Sequence, residues 1–280
     1  MRDTVDGNQN GDLPVAGAGH STADLSGCSL TVFTYFPCSE PRGCLLLFSG
    51  LGRNARQSRD DAVGIAERAG LAVFAPLMDE AKFPKWRYNR AGLMRRRKLQ
   101  PPDRWTGPLL QDLVDWVHDR QSKPSLPMYL LGFSAGAQLL SRVCAYSPLA
   151  GASRFVICSP SVYVAPTLEK PVPFGFRGVF RRDQAEQHLR RYLAAPITIY
   201  LGTRDTGNRL LATSRQAMGQ GLHRLDRGRR MFQMAATLTE QENWTFNWQL
   251  VEAVDVGHSL KGMLDAPECL RALQGPPGSG

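Results

Sequence analysis

A serine between two glycines, in the segment Gly132-Phe133-Ser134-Ala135-Gly136, is the feature that most constrains this chain. The apolar run 128–131 precedes it and a helical pattern follows, so the motif has the order strand, sharp turn, helix. Glycines let a strand and a helix approach closely, and a residue at the tip of such a turn has a strained backbone. The pattern predicts that Ser134 projects from the carboxyl end of a buried strand. An ordinary tight turn would contain the same residues, so the other segments have to decide between the two interpretations.

Short apolar segments alternate with helical patterns along the rest of the chain. We predict strands at 30–36, 45–48, 71–76, 128–132, 155–158, 197–201 and 248–254. Helical periodicity lies between them, for example at 62–69, where apolar residues recur at helical spacing. Strands that alternate with helices favour crossover connections. We therefore expect an α/β fold with a mainly parallel central sheet and helices on both faces.

No composition shift or internal repeat divides the chain, so we predict one domain over 27–274. The polar, glycine-rich residues 1–26 predict a flexible N-terminal arm, and residues 275–280 predict a flexible tail. Prolines and aromatic residues are frequent in 160–194, which indicates a small cap or lid insertion. Residues 79–106 form a predicted irregular loop, and a loop of that length in a compact domain is usually functional.

The formal net charge of +9 raises the question of an anionic partner. The basic residues are spread over several segments, and the one dense run, 95–98, lies in a loop rich in Gly, Pro and aromatic residues. We interpret this run as a solvated basic face and expect no nucleic-acid partner. No window of about 18 apolar residues is present, so we expect no membrane span. The N-terminus lacks the basic and apolar regions of a secretory signal, so we predict a cytoplasmic protein.

Six cysteines are present, but none has the C-x-x-C spacing with histidine partners that a zinc site needs. We expect no metal and no cofactor. Cys38 and Cys44 flank a turn and would bridge under oxidising conditions, whereas Cys144 and Cys158 lie in apolar patterns typical of buried thiols. The predicted cytoplasmic location favours the reduced state.

A serine hydroxyl is a weak nucleophile and needs a base, normally a histidine that a carboxylate orients. Reactive groups of open α/β sheets lie just past the carboxyl ends of strands. Asp205 follows the predicted strand 197–201 in such a loop, and His258 follows the strand 248–254. The other histidines do not follow predicted strands. The order Ser134, Asp205, His258 is that of a nucleophile-elbow hydrolase, and we predict these three as the catalytic residues.

Two alternatives concern the carboxylate. Asp205 could instead cap the helix that follows it. Asp255 could take its place, although three residues before His258 it is better placed to end the strand.

A developing oxyanion needs two backbone N–H donors. Ala135 opens the helix after the serine and supplies one of them. The glycine-containing segment 49–54 follows the strand 45–48, and we assign the second donor to Leu51. Tyr88 and Trp105 of the long loop are predicted substrate contacts, and packing of these rings on the core is the alternative.

With these residues in place, the chain resembles the α/β-hydrolase superfamily over residues 28–272. The segments 49–55, 132–136, 202–205 and 256–259 are similar to those of esterases that include polyhydroxybutyrate-depolymerase-like and feruloyl-esterase-like proteins. Many relatives have His-Gly where this chain has Ser49-Gly50, so one side chain that helps to hold the oxyanion loop differs. The resemblance implies the α/β-hydrolase fold and a serine hydrolase that acts on small or polymeric esters.

The expected reaction is hydrolysis of a carboxylic ester through an acyl-enzyme intermediate. Amide or peptide hydrolysis and acyl transfer would use the same three side chains. A binding protein of the same fold without turnover is a further alternative. No oligomeric state is predicted.

Overall fold

The computed structural model describes residues 16–121 and 125–275. In these residues the strands are β1 (Gly17–Leu25), β2 (Cys28–Phe36), β3 (Gly43–Phe48), β4 (Leu71–Pro76), β5 (Met94–Arg95), β6 (Lys98–Leu99), β7 (Met128–Phe133), β8 (Arg154–Cys158), β9 (Ile197–Gly202) and β10 (Gln249–Ala253). The helices are α1 (Ala55–Asp61), α2 (Val63–Ala69), α3 (Gly107–His118), α4 (Ala135–Tyr146), α5 (Arg182–Ala194), α6 (Arg215–Met218), α7 (Arg224–Glu242), α8 (Leu260–Asp265) and α9 (Cys269–Gln274).

Eight of the described strands form one sheet in the order β1-β2-β4-β3-β7-β8-β9-β10. The β1–β2 and β2–β4 pairs are antiparallel, and all other neighbours in this sheet are parallel. Each predicted strand is present with ends within two residues of the prediction, and the mainly parallel sheet is confirmed. The dense basic run 95–98 forms a separate two-stranded hairpin of β5 and β6, and its side chains are exposed.

The side chains of the central strands alternate between two hydrophobic cores, one on each face of the sheet. Along β3, Leu46 and Phe48 belong to one core, and Leu45 and Leu47 belong to the other. The first core includes residues of α3, α4, α5 and α7, and the second includes residues of α2, α8 and α9. Strands that are covered on both faces read as continuous apolar runs, which is why the sequence located them so well.

The predicted arm 1–26 differs from the structure at 17–25, which form the edge strand β1. It pairs with β2 from Gly17 opposite Phe36 to Leu25 opposite Cys28. The Arg59 guanidinium of α1 donates hydrogen bonds to backbone carbonyls of both strands, at 3.0 and 2.7 Å. An edge strand with one solvated face has a polar composition, and this hid β1 in the sequence. Residues 1–15 of the predicted arm and 276–280 of the predicted tail lie outside the described residues.

The segment 160–194 connects β8 to β9, and much of it belongs to the core. Tyr163 and Ala165 are fully buried. The Tyr146 hydroxyl of α4 donates to the Gly175 carbonyl oxygen at 2.7 Å, and α5 packs on α4. The structure therefore places a crossover helix and a packed connection where the sequence suggested a cap or lid.

The cysteines and the helices of the described residues bear on the predicted thiol state and on membrane insertion. All six cysteines lie in the described ranges and are free thiols, including Cys38 and Cys44. Among the helices of these ranges, none combines the length and the apolar character that crossing a membrane requires.

Candidate active site

Ser134 lies at the sharp turn between β7 and α4 with φ 52° and ψ −102°. A non-glycine residue in such a conformation costs about 1–3 kcal/mol, so the surrounding structure has to hold it. A Cβ on Gly132 would lie 2.4 Å from the Gly136 carbonyl oxygen, and a Cβ on Gly136 would lie 2.3 Å from the Phe48 carbonyl oxygen. The Ser134 N–H donates to the Cys158 carbonyl oxygen at 2.9 Å. The two glycines thus permit the close strand–helix approach that the motif predicts.

Three loops at the carboxyl edge of the sheet bring Ser134, Asp205 and His258 together. The His258 Nε2 atom lies 3.1 Å from Ser134 Oγ, and its Nδ1 atom lies 2.7 Å from Asp205 Oδ2. The side chain of Asp205 is 2% exposed and that of His258 is 27% exposed. The Phe133 ring stacks on the imidazole with a centroid distance of 4.8 Å. The imidazole can therefore donate from Nδ1 to a shielded carboxylate while Nε2 accepts from the serine hydroxyl.

The alternatives for the carboxylate do not fit this geometry. Asp255 is 70% exposed and pairs with the Arg204 guanidinium at 3.0 Å. The helices after β9 begin at other N-caps, Ser214 for α6 and His223 for α7. Asp205 therefore caps neither helix and remains the carboxylate beside the imidazole.

A buried cation lies on the other side of the Asp205 carboxylate. The Arg224 side chain is 1% exposed, and its guanidinium lies 3.5 Å from Asp205 Oδ1. The same guanidinium donates to the Arg209 carbonyl oxygen at 2.9 Å. Burial lowers the pKa of Arg224, and the Asp205 carboxylate opposes that effect. Sequence reasoning missed Arg224, because an arginine in a helical pattern carries no sign of burial.

The predicted oxyanion donors lie in the expected local structures. Arg53 N–H donates to the Gly50 carbonyl oxygen at 3.1 Å, which closes a tight turn around Leu51. The N–H of a residue inside such a turn takes no part in its closing hydrogen bond. Ala135 is the first residue of α4, and N–H groups in the first turn of a helix have no intrahelical acceptor. Both N–H groups are therefore free of the hydrogen bonds of their own turn or helix.

Tyr88, which the sequence suggested as a substrate contact, lies beneath this turn. It is 1% exposed, and its hydroxyl donates to the Ser49 carbonyl oxygen at 2.6 Å. The Gly136 N–H donates to the same oxygen at 3.1 Å, and the Arg53 guanidinium lies 3.6 Å from the Tyr88 ring centroid. Burial raises the pKa of Tyr88, so its hydroxyl stays a donor. The prediction that Tyr88 contacts substrate is wrong, because Tyr88 is buried beneath the turn at Leu51 and supports the backbone of that turn.

Trp105, the other predicted substrate contact, is also buried. It is 7% exposed, its indole N–H donates to the Gln100 carbonyl oxygen at 2.8 Å, and its ring packs edge-on against Phe180. It borders a cavity of about 530 Å³ whose lining, within the described chain, includes none of the three predicted catalytic residues. Core packing, the alternative considered for both rings, is what the structure contains.

The chemistry that this arrangement offers comes from side chains and backbone N–H groups. In residues 16–121 and 125–275, no cluster of three or more His, Cys, Asp and Glu side chains could hold a metal ion. A hydroxyl, an imidazole and a buried carboxylate in one hydrogen-bonded row are the groups that acyl transfer requires.

Solved structures of other proteins share this architecture. The poly(aspartic acid) hydrolase-1 from Sphingomonas sp. KT-1 is 29% identical with a TM-score of 0.79, and the match covers 89% of this chain and 96% of that chain. The poly(3-hydroxybutyrate) depolymerase LpqC from Bordetella parapertussis is 28% identical with a TM-score of 0.80, over 89% of this chain and 88% of that chain. A Pyrobaculum calidifontis esterase, 15% identical with a TM-score of 0.53 over 94% and 84% of the two chains, shares the fold.

No protein-family model and no curated protein sequence matches the chain. The sheet order, the elbow and the solved relatives nevertheless define the class: this protein has the α/β-hydrolase fold. Two of the solved structures that it resembles are a poly(aspartic acid) hydrolase and a poly(3-hydroxybutyrate) depolymerase, and their activities support a hydrolase of this fold.

Proposed function

We propose that the protein hydrolyses carboxylic esters by nucleophilic catalysis at Ser134. The observation that carries the proposal is the continuous row of contacts from Ser134 Oγ through His258 to Asp205, at 3.1 and 2.7 Å. A serine, a base and an orienting carboxylate at these separations are the parts that an activated hydroxyl nucleophile needs.

In the first half of the reaction, His258 Nε2 accepts the hydroxyl proton as Ser134 Oγ attacks the ester carbonyl carbon. The negative charge passes to the carbonyl oxygen, which accepts hydrogen bonds from the N–H groups of Leu51 and Ala135. Each donor of this kind is typically worth about 3–4 kcal/mol in the transition state. The imidazolium then gives its proton to the leaving alcohol oxygen, and an acyl-serine ester remains.

In the second half, a water molecule loses a proton to His258 and attacks the acyl carbonyl carbon. The acid is released, and the proton returns to Ser134 Oγ. Asp205 holds the imidazole in the tautomer with the proton on Nδ1 and stabilises the imidazolium. The Arg224 guanidinium and the Phe133 ring support this geometry, since one contacts the carboxylate and the other stacks on the imidazole.

The two solved relatives of highest identity reported above are both named for polymer substrates. One is named as a depolymerase of poly(3-hydroxybutyrate), which is a polyester, and this supports ester hydrolysis here. The other is named as a hydrolase of poly(aspartic acid), a polymer with an amide backbone. That name favours amide hydrolysis as the second candidate, and the same serine, imidazole and carboxylate would perform it.

Hydrolysis of p-nitrophenyl butyrate by the purified protein tests the proposal. Ser134→Ala is expected to reduce kcat at least about 10³-fold, because removal of a member of such a triad leaves only residual catalysis. Asp205→Asn should also cause a large loss, whereas Asp255→Asn, the matched control, should retain wild-type turnover. Substantial turnover by the Ser134 variant would contradict the proposal. Faster cleavage of p-nitroanilides than of matched esters would favour the amide reaction instead.

A further inference from the structure

A leucine with an unfavourable backbone conformation lies in the loop that follows Asp205. The Leu211 N–H donates to the Asn208 carbonyl oxygen at 3.0 Å, and this closes a turn whose third residue is Leu210. Leu210 has φ +56°, in the left-handed region that glycine and asparagine adopt much more readily than leucine. It is also 70% exposed, so packing within the protein does not compensate for the backbone. Exposed apolar surface and local strain coincide at this residue.

The turn is held on the same side chain that contacts the catalytic carboxylate. The Arg224 guanidinium lies 3.5 Å from Asp205 and donates to the Arg209 carbonyl oxygen at 2.9 Å. These two contacts, together with the width of the guanidinium and the covalent geometry from the Arg209 carbonyl oxygen to the next Cα, place the Leu210 Cα at most about 12 Å from the Asp205 carboxylate. The strained leucine is therefore fixed to the rigid catalytic edge of the sheet and does not belong to a remote loop.

The strand order shows on which side of the nucleophile Leu210 lies. Ser134 follows β7; the Leu51 turn follows β3 on one side, and Asp205 and Leu210 follow β9 on the other. The oxyanion points to the β3 side in the proposed reaction. The leaving oxygen must face His258, which follows β10 beyond β9. The alcohol portion of the substrate therefore extends toward the side that carries Leu210.

We infer that Leu210 is a specificity-determining residue that contacts the apolar part of the alcohol portion of the ester. This inference rests on the proposed ester hydrolysis. Strain retained at an exposed position is typical of a residue kept for binding, and relieving it usually raises stability at the expense of function. Leu210 is thus covered by substrate, and its conformation presents the side chain for that contact.

The experiment compares Leu210→Asn, Leu210→Met and Leu222→Asn in a pH-stat assay with ethyl, butyl and hexyl acetate. Asparagine suits the left-handed backbone but removes the apolar contact, so the Leu210→Asn variant should have a KM for hexyl acetate raised about fivefold. Its KM for ethyl acetate and its kcat should change little. Its melting temperature should rise by about 2 °C, because the backbone strain is relieved. Methionine keeps the apolar contact and should restore the wild-type KM.

Leu222 is the matched control, since it is 69% exposed and does not have a positive φ. Leu222→Asn should leave KM unchanged across the series. Three results would each overturn the inference. The KM for hexyl acetate could be unchanged in the Leu210→Asn variant, or the Leu222→Asn variant could show an equal rise in that KM. The third such result is a lowered melting temperature of the Leu210→Asn variant. An assay of the Ser134→Ala variant on the same esters tests the proposed reaction separately from the role of Leu210. Loss of turnover there, with no effect of Leu210→Asn, refutes the role of Leu210 alone, whereas retained turnover refutes the proposed reaction.

Discussion

Replacement of Tyr88 by phenylalanine tests whether the oxyanion turn is held from beneath. The change removes one hydroxyl that donates to the Ser49 carbonyl oxygen at 2.6 Å and keeps the buried ring. That oxygen retains the Gly136 N–H at 3.1 Å, so it is not left without a donor. The loss is then one neutral hydrogen bond, about 1 kcal/mol. For a chain of this length the melting temperature should fall by about 2–4 °C.

The catalytic effect follows from the position of the turn. If the weaker hold on the turn misaligns the Leu51 N–H and raises the activation free energy by this 1 kcal/mol, kcat falls about fivefold. KM should change little, because the oxyanion forms only in the transition state. Steady-state kinetics on an aryl ester with differential scanning calorimetry measures both effects on the same preparations.

Tyr146→Phe is a matched control for this change. The Tyr146 hydroxyl also donates to a backbone carbonyl oxygen, that of Gly175, at 2.7 Å, and Tyr146 is likewise buried. It should lose at least as much thermal stability, because the Tyr146 hydroxyl is the donor that the structure shows for the buried Gly175 oxygen, and kcat should not change. Equal kcat values for the Tyr88 and Tyr146 variants would refute the argument that Tyr88 positions the oxyanion turn.

Three further outcomes are expected. Gly136→Ala should abolish activity and destabilise the protein by more than about 1 kcal/mol, because the new Cβ would lie 2.3 Å from a backbone carbonyl oxygen. Gly207→Ala is the control, since the new methyl group would have open space around it, and it should change neither turnover nor stability. Arg224→Gln leaves Asp205 without its buried counter-charge and should lower stability by about 3–5 kcal/mol and turnover at least tenfold; urea unfolding with wild-type stability would contradict this. Burial lowers the pKa of His188 below its ordinary 6.5, with Arg191 adding to the shift, so the unfolded chain binds the proton more readily than the folded protein and stability falls as pH decreases below about 6.5. Between pH 7.5 and 5 the His188→Phe variant should lose less stability than the wild type. A difference in unfolding free energy between the two proteins that stays constant over this range would contradict the lowered pKa of His188.

The sequence predicts the sheet and the row Ser134, Asp205, His258 for one physical reason. Parallel strands covered on both faces are continuous apolar runs, as in β7 and β9, and Ser134 and Asp205 lie at or just past the ends of these two strands. His258 lies in the loop after β10, an edge strand that is only partly buried. Chain order alone then places the three side chains at one edge of the sheet. The edge strand β1 has a polar face and no such run, so its composition is that of a flexible arm.

The supporting residues could not be predicted in the same way. The position of Tyr88 and Trp105 in a long loop predicts substrate contacts, but their burial depends on which distant groups the fold brings against them. The contact between Arg224 and Asp205 likewise forms only when α7 packs beside β9. Burial of a polar side chain depends on tertiary contacts, and local periodicity does not reveal it.

Intact-mass analysis after treatment with a fluorophosphonate tests the central claim most directly. The reagent reacts with a serine hydroxyl that a neighbouring base activates, so the wild-type protein should gain one adduct, and peptide sequencing should place it on Ser134. Ser134→Ala should remove the adduct, and His258→Ala should slow its formation by orders of magnitude. An unmodified wild-type protein, or an adduct on another residue that persists in the Ser134 variant, would contradict the account.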